Sequence, residues 1–384
     1  MVSVPILKLR AEKLLFVSVR SDARCREEEI LRLIKEGIDF EYLVQVAREK
    51  SVASLAYQSL KFYTPSNDAE KKALHHLRVS YLTTAAANDY YKEELIRILA
   101  AFRERGVEVI PLKGIALAEK LYGDITSRDQ SVDVDLLVRE KDKERGRRIL
   151  EDMGYSFTPV DEREEYRWYY AFHKPHQKMV ELHWDITMMV RSPGRIEGLW
   201  RGTENMMPDG AQYLDFEPEE LLLYLAAHLV NSDSFRKLKY ICDINRLIEK
   251  YQDQIDWDSL VKKAKDWNMR GSLYACLTLN SKLFGWKMPK YPALSMGLSR
   301  TKRIFIRTFA NEKVILKSNS FRRKLLDSFL SYVLLECFEA DSAKEYLAVL
   351  KRVFCPEKSR ARVGHYLLRP VNALKRFFVP QIKF

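Results

Sequence analysis

The stretch Val132-Asp133-Val134-Asp135-Leu136-Leu137-Val138 decides how this chain is read. Its valines and leucines suit a short buried strand. Side chains alternate along a strand, so Asp133 and Asp135 project from one face while Val132, Val134 and Leu136 take the other. Two like charges held this close repel, and a purely structural sheet has little use for them. A hard divalent cation removes the conflict, because Mg²⁺ prefers carboxylate oxygens and keeps waters or phosphates as its other ligands.

Working downstream, Lys178-Met179-Val180-Glu181-Leu182-His183-Trp184-Asp185-Ile186 alternates in the same way. Glu181, His183 and Asp185 share one face, and Val180, Leu182, Trp184 and Ile186 share the other. If this strand lies beside the first, Glu181 or Asp185 can supply a third carboxylate, enough for a two-metal site. Residues 166–173 read as a further strand, joined to it by the turn-forming Lys174-Pro175-His176-Gln177. His183 is read either as orienting a metal ligand or contacting phosphate, or as a hydrogen-bonded sheet histidine. His173, His176 and His183 lack nearby cysteines and make a poor zinc set. Trp168, Tyr169, Tyr170 and Trp184 are read as packing residues.

Working upstream, Val107-Glu108-Val109-Ile110-Pro111-Leu112 is short and β-rich, and Lys113-Gly114 leads into a helical run over 115–122. Glycine there allows close backbone approach to a phosphate. A helix N-terminus offers free N–H groups and positive partial charge. Lys113 adds a charge near the phosphates, and Arg128, in the polar loop before the aspartates, is placed to do likewise.

Helical patterns flank this centre. A segment over 69–105 contains no Gly or Pro, and Gly106 is placed to cap it. Residues 141–153 form a helix stopped at Gly154. Beyond Pro218 helices are expected over 218–231, 236–250, 257–268 and 270–284. Lys239 and Asp243 lie one turn apart and are read as an i,i+4 pair. The last hundred residues look helical and basic, with 321–338 amphipathic. The expected organisation is an N-terminal helical region (1–105), an α/β core (106–215), a helical domain (216–295) and a basic helical extension (296–384).

The 384-residue chain has 65 Lys+Arg against 53 Asp+Glu, a net charge of +12, which favours anionic partners such as nucleotides, and leaves nucleic acid open through the basic surface. Its five scattered cysteines form no CxxC pair, which argues against a disulfide framework and fits a reducing cytoplasm. The most apolar stretches, 221–230 and 328–335, are too short to span a bilayer as helices, so no transmembrane segment is expected.

Pro111-Leu112-Lys113-Gly114, Leu121-Tyr122, Arg128 and Asp133-Val134-Asp135-Leu136-Leu137-Val138, with Glu181-Leu182-His183-Trp184 later, resemble the uncharacterised nucleotidyltransferase family of the DNA polymerase β-like superfamily. The resemblance runs over about residues 20–290. It implies an α+β fold: a small mixed-sheet nucleotidyltransferase core flanked by helical regions. It further implies Gly114 at the first position of the superfamily's glycine pair, Asp133 and Asp135 as metal ligands and Glu181 as third acid, with Asp185 in reserve. Ile115 stands where the superfamily has a small residue, and the spacing from Gly114 to Asp133 is long for it.

The function expected is Mg²⁺-dependent transfer of an NMP from an NTP such as ATP to a hydroxyl-bearing acceptor, a small molecule by preference, with Mn²⁺ as an alternative ion. Asp133, Asp135 and Glu181 are the expected catalytic and metal-binding residues, and Lys113, Gly114, Arg128 and His183 the nucleotide-binding ones. The rival readings are modification of RNA or protein by the same core, and a non-catalytic nucleotide- or nucleic-acid-binding module that keeps the fold.

Overall fold

The computed structural model of the protein describes residues 3–21, 23–158, 169–186, 198–200, 204–206, 212–232, 235–287 and 296–316. The N-terminal half begins with helices α1 (Val4–Ser18), α2 (Ala23–Lys35), α3 (Phe40–Glu49) and α4 (Ala53–Leu60), followed by the 37-residue α5 (Asp68–Glu104). Asn67 caps α5 by accepting a hydrogen bond from the Glu70 amide at 3.0 Å. Its far end closes where Gly106, at φ +62°, donates to the Arg103 carbonyl at 2.9 Å and Val107 donates to that of Phe102 at 2.9 Å. This paired closure is what a left-handed glycine cap provides, as the sequence predicts.

The chain then forms β1 (Val109–Pro111), α6 (Ile115–Tyr122), β2 (Asp133–Val138), α7 (Lys143–Asp152), β3 (Ser156–Thr158), β4 (Tyr169–His173) and β5 (Met179–His183). The helix expected over 141–153 divides into a 3₁₀ turn at Glu140–Asp142 and α7 itself. The five strands make one mixed sheet in the order β1-β2-β5-β4-β3. Only β2 and β5 run parallel; the other pairings are antiparallel. A separate hairpin, β6 (Glu204–Met206) with β7 (Gln212–Leu214), follows. The helical half comprises α8 (Pro218–Ala227), α9 (Leu238–Tyr251), α10 (Trp257–Asp266), α11 (Arg270–Phe284), α12 (Arg300–Phe309) and α13 (Glu312–Leu316). The expected α+β architecture is therefore the one found.

Two apolar cores organise these elements. Leu136, Val138, Val180, Leu182 and Phe172 from the sheet pack with Leu95, Ile98, Leu99 and Phe102 of α5 and with Ile149 and Leu150 of α7. Gly146 on α7 sits at the tightest point: a Cβ there would lie 3.0 Å from Leu182 and 3.2 Å from Phe102. The opposite face of β2 continues from Asp133 and Asp135 to Leu137, which joins a larger core with Leu117 and Leu121 of α6, the N-terminal helices and α8, α9 and α11. The acidic side of the sheet thus turns toward the helical half. The first part of α5 contributes Ala73 and Leu77 to this larger core, so one helix serves both.

Three local expectations change. Val132 was expected on the apolar face, but β2 begins at Asp133 and Val132 is 85% exposed. The strand expected over 178–186 ends at His183, which takes Asp185 out of the alternating pattern. The helix expected over 218–231 is α-helical only to Ala227; His228–Ser232 form a π-helical turn, whose wider ring shifts the register of the side chains that follow. Trp168, the start of the strand expected over 166–173 and the amphipathic 321–338 lie outside the described residues.

Candidate functional site

Parallel pairing of β2 with β5 sets Asp135 directly opposite Glu181 and Leu137 opposite His183. On the far side of β5, Ala171 of β4 pairs with Glu181. Ligand atoms from Asp135, Glu181 and His183 all lie within 4.8 Å of one another. His183 Nε2 is 3.2 Å from Asp135 Oδ1 and 3.3 Å from Glu181 Oε2. Lys113, immediately after β1, brings its Nζ to 3.0 Å from Asp135 Oδ2. Asp133 shares the face of Asp135 and is half-buried.

Identical residues two positions apart meet opposite electrostatics here. Burial pushes the Asp133 carboxyl up, and the charges of Asp135 and Glu181 push it further, against the pull of Lys113. Burial also opposes ionisation of Asp135, but the Lys113 ammonium and the His183 hydrogen bond outweigh it and hold that carboxyl below the ordinary range. His183 rises for the reciprocal reason: its burial is outweighed by hydrogen bonds to Asp135 and Glu181. The arrangement is an acidic cluster with more negative charge than its own cations neutralise comfortably.

Gly114 caps α6 at φ +74° and ψ −128°, a conformation strained for any L side chain. The residue follows Lys113 and presents the first amides of α6, which have no partner within the helix. Lys113, Gly114, Asp133, Asp135, Glu181 and His183 therefore gather on one side of the sheet.

Arg128 goes elsewhere. Its guanidinium is paired with Asp243 of α9, Nε lying 3.0 Å and 3.1 Å from the two carboxylate oxygens and Nη2 2.9 Å from Oδ2. The expected Lys239–Asp243 pair is replaced by this one, because the Arg128 fork and the Tyr122 hydroxyl, 2.9 Å from Oδ1, occupy the Asp243 carboxylate. Lys239 instead donates to the Gln130 carbonyl at 3.2 Å. Asp185, the reserve acid, is buried beyond the end of β5, where its Oδ1 accepts from the Ile186 amide at 2.7 Å.

Two further cations stand in surroundings that the sequence does not foretell, Lys178, which it did not single out, and Lys239, which it assigned to Asp243. Burial pushes the Lys178 ammonium down to about 8, and it rests 4.4 Å from the Tyr91 ring centroid. Burial and the neighbouring Arg128 push Lys239 down to about 7. Both lie beside other polar or charged residues, Lys178 after His176-Gln177 and Lys239 after Arg236-Lys237, so the local sequence carries no signal of their burial. His228, at the start of the π turn, is half-buried among rings, 4.6 Å from Tyr240 and 6.2 Å from Tyr224 between centroids. Desolvation, with Lys113 nearby, pushes it well down.

Comparison with known proteins places this geometry in a class. Residues 36–285 match the family model described as uncharacterised nucleotidyltransferase. That is well over half of the chain, and the protein belongs to this family; it is a transferase of nucleotidyl groups. Among solved structures it is similar to the solution structure of antibiotic-resistance factor ANT(2'')-Ia, at 14% identity and a TM-score of 0.30, over 47% of this chain and 91% of that one. A search of curated proteins finds no match. Among the described residues no helix is long and apolar enough to cross a membrane.

Proposed function

We propose that the protein moves an NMP from an NTP to a hydroxyl-bearing small molecule in a Mg²⁺-dependent reaction, with Mn²⁺ able to substitute. The observation that carries this reading is the register that sets Asp135 against Glu181, with Asp133 two residues earlier on the same face. The donor set fits a hard dication: carboxylate oxygens converge with an imidazole nitrogen, and Asp133 carries an unfavourable charge that a cation would relieve. Asp133, Asp135 and Glu181 would hold the ion. Once bound, a divalent ion neutralises the triphosphate and activates the attacking hydroxyl.

The chain's own residues do the rest. Lys113 supplies a point charge for the phosphates, Gly114 lets the backbone approach them, and the α6 amides point at them. His183 keeps the Asp135 and Glu181 carboxylates aligned and stands within reach of the same phosphates. The acceptor oxygen bonds to the α-phosphorus as the bond from that phosphorus to the bridging oxygen breaks. Pyrophosphate leaves with the bonding electrons, and the acceptor proton passes to water. Positioning and charge neutralisation account for most of the acceleration in such transfers.

The test is a titration of NTP with Mg²⁺ into the full chain, alongside release of pyrophosphate in the presence of small-molecule extract. The wild type is expected to bind and turn over, and the double variant Asp133→Asn/Asp135→Asn to lose both. Unchanged Mg²⁺-dependent NTP binding by the double variant would overturn the assignment.

A further inference from the structure

Ten residues, 123–132, run between α6 and β2 without regular structure, yet they deliver both aspartates. They are tied to three helices. Asn88 of α5 donates to the carbonyls of Ile125 at 2.7 Å and Arg128 at 3.1 Å. Asp129 accepts from the amides of Ala53 and Ser54, at 3.0 and 2.9 Å, at the start of α4. Arg128 reaches Asp243 of α9 through two of its nitrogens, and its third, Nη1, donates to Ser131 Oγ at 3.3 Å. Ser131 in turn borders Gly114, its Oγ lying 3.9 Å from where a Cβ at that position would stand.

The side chains of Arg128 and Asp243 are 1% and 0% exposed. Every guanidinium nitrogen is spent within the protein. A phosphate could take this group only by displacing the Asp243 carboxylate and leaving that charge buried without its partner. Meanwhile α9 carries Lys239 and Tyr240 one turn before Asp243, and the Lys239 charge favours ionisation of Asp133.

We propose that Arg128 is a positioning residue: through Asp243 it fixes residues 123–132 against α9, and so sets where Asp133 and Asp135 stand, without touching the nucleotide. The kinetic part of this inference rests on the nucleotidyltransferase reading above; the bracing of the loop does not.

The experiment compares Arg128→Lys, Asp243→Asn and their combination in the full chain, with Tyr122→Phe as a mild variant that removes only one bond to Asp243. Amide hydrogen exchange over residues 124–132, without nucleotide, is expected to speed up at least about tenfold in both single variants and less in Tyr122→Phe, because local opening follows the ties that are cut. Turnover should fall about tenfold or more in each, with KM for NTP held within about threefold, and the double variant should be little worse than either single. Asp243→Glu, which keeps the charge, should restore part of the protection. If Arg128→Lys instead raised KM more than about tenfold while Asp243→Asn left it unchanged or lowered it, Arg128 would be a phosphate ligand and the inference wrong. Unchanged exchange in both single variants would overturn it equally. A wild type that releases no pyrophosphate from any NTP would sink the enzymatic reading while the exchange measurement still decided the brace.

Discussion

Lys113 with Asp135 and Arg128 with Asp243 are both buried ion pairs, but they are built differently. The lysine pair is a single 3.0 Å approach, with the ammonium 11% exposed and Asp135 shared with His183. The arginine pair is a fork with three contacts of 2.9 to 3.1 Å, closed on the Asp243 side by Tyr122. An ammonium on a flexible stem can trade one anion for another, whereas a planar guanidinium matched to one carboxylate cannot do so without losing its geometry. On the reading proposed above, the loose pair would serve the chemistry and the tight one the scaffold.

The largest expected effect breaks the tight pair. Asp243→Leu should cost about 3–5 kcal/mol of stability in thermal or urea unfolding, because it strands the Arg128 charge in the interior. Adding Arg128→Met should recover most of that loss, since paired apolar replacement removes the stranded charge as well. If the double variant were as unstable as the single, the pair would not be the unit described.

A smaller effect separates the two aspartates of β2. Asp135→Asn should lower stability by about 2 kcal/mol, because Lys113 and His183 lose their shared anion. Asp133→Asn should raise it by about 1 kcal/mol, because it removes a charge that burial and Asp135 already disfavour. Both variants should lose activity by at least about 10²-fold. The sign with pH follows from the raised carboxyl: an unfolded aspartate ionises first, so the contribution of Asp133 to stability falls as pH climbs past the ordinary carboxylate range. The gain from Asp133→Asn should therefore appear above that range and fade below it, in melts run with chelator present. Equal shifts in the same direction for both variants would erase the distinction.

The smallest effect concerns Lys239, which shares α9 with Asp243. Its ammonium is pushed down to about 7, so below that pH the native state bears the full cost of a buried charge. Between about 7 and the unfolded lysine range, the unfolded chain binds more protons and stability rises with pH. Lys239→Met should raise the melting temperature by a few degrees, roughly 1 kcal/mol, at pH 6, and by progressively less toward pH 10. A gain that did not shrink with rising pH would show that the lysine is not buried as a strained cation.

Much of this was legible in the alternation of single strands. Asp133, Asp135, Glu181 and His183 follow from a period of two, and Gly106 and Gly154 from their places after helical runs. The limits are physical as well. Alternation fixes faces but not strand ends, so Asp185 and Val132 were assigned to a pattern that the chain had already left. Helical spacing suggested Asp243 as a partner for Lys239 four residues away, whereas its carboxylate pairs with Arg128, 115 positions apart in the chain. No local pattern encodes such a distant choice; it depends on which helix packs against which loop. Arg128 in a polar loop reads as an anion binder until that packing is known. The buried lysines at 178 and 239 carry no local mark, since each stands among other polar or charged residues in the chain and its burial depends on which elements pack over it.

The pairing of Asp135 with Glu181 also guards the assembly of the sheet. Slipping β5 by one residue against β2 would drive Glu181 and His183 into the apolar layer beneath α7 and push Val180 and Leu182 out toward the acids. The same acidic pair thus disfavours a shifted alignment, which would have to bury charge among phenylalanines and leucines.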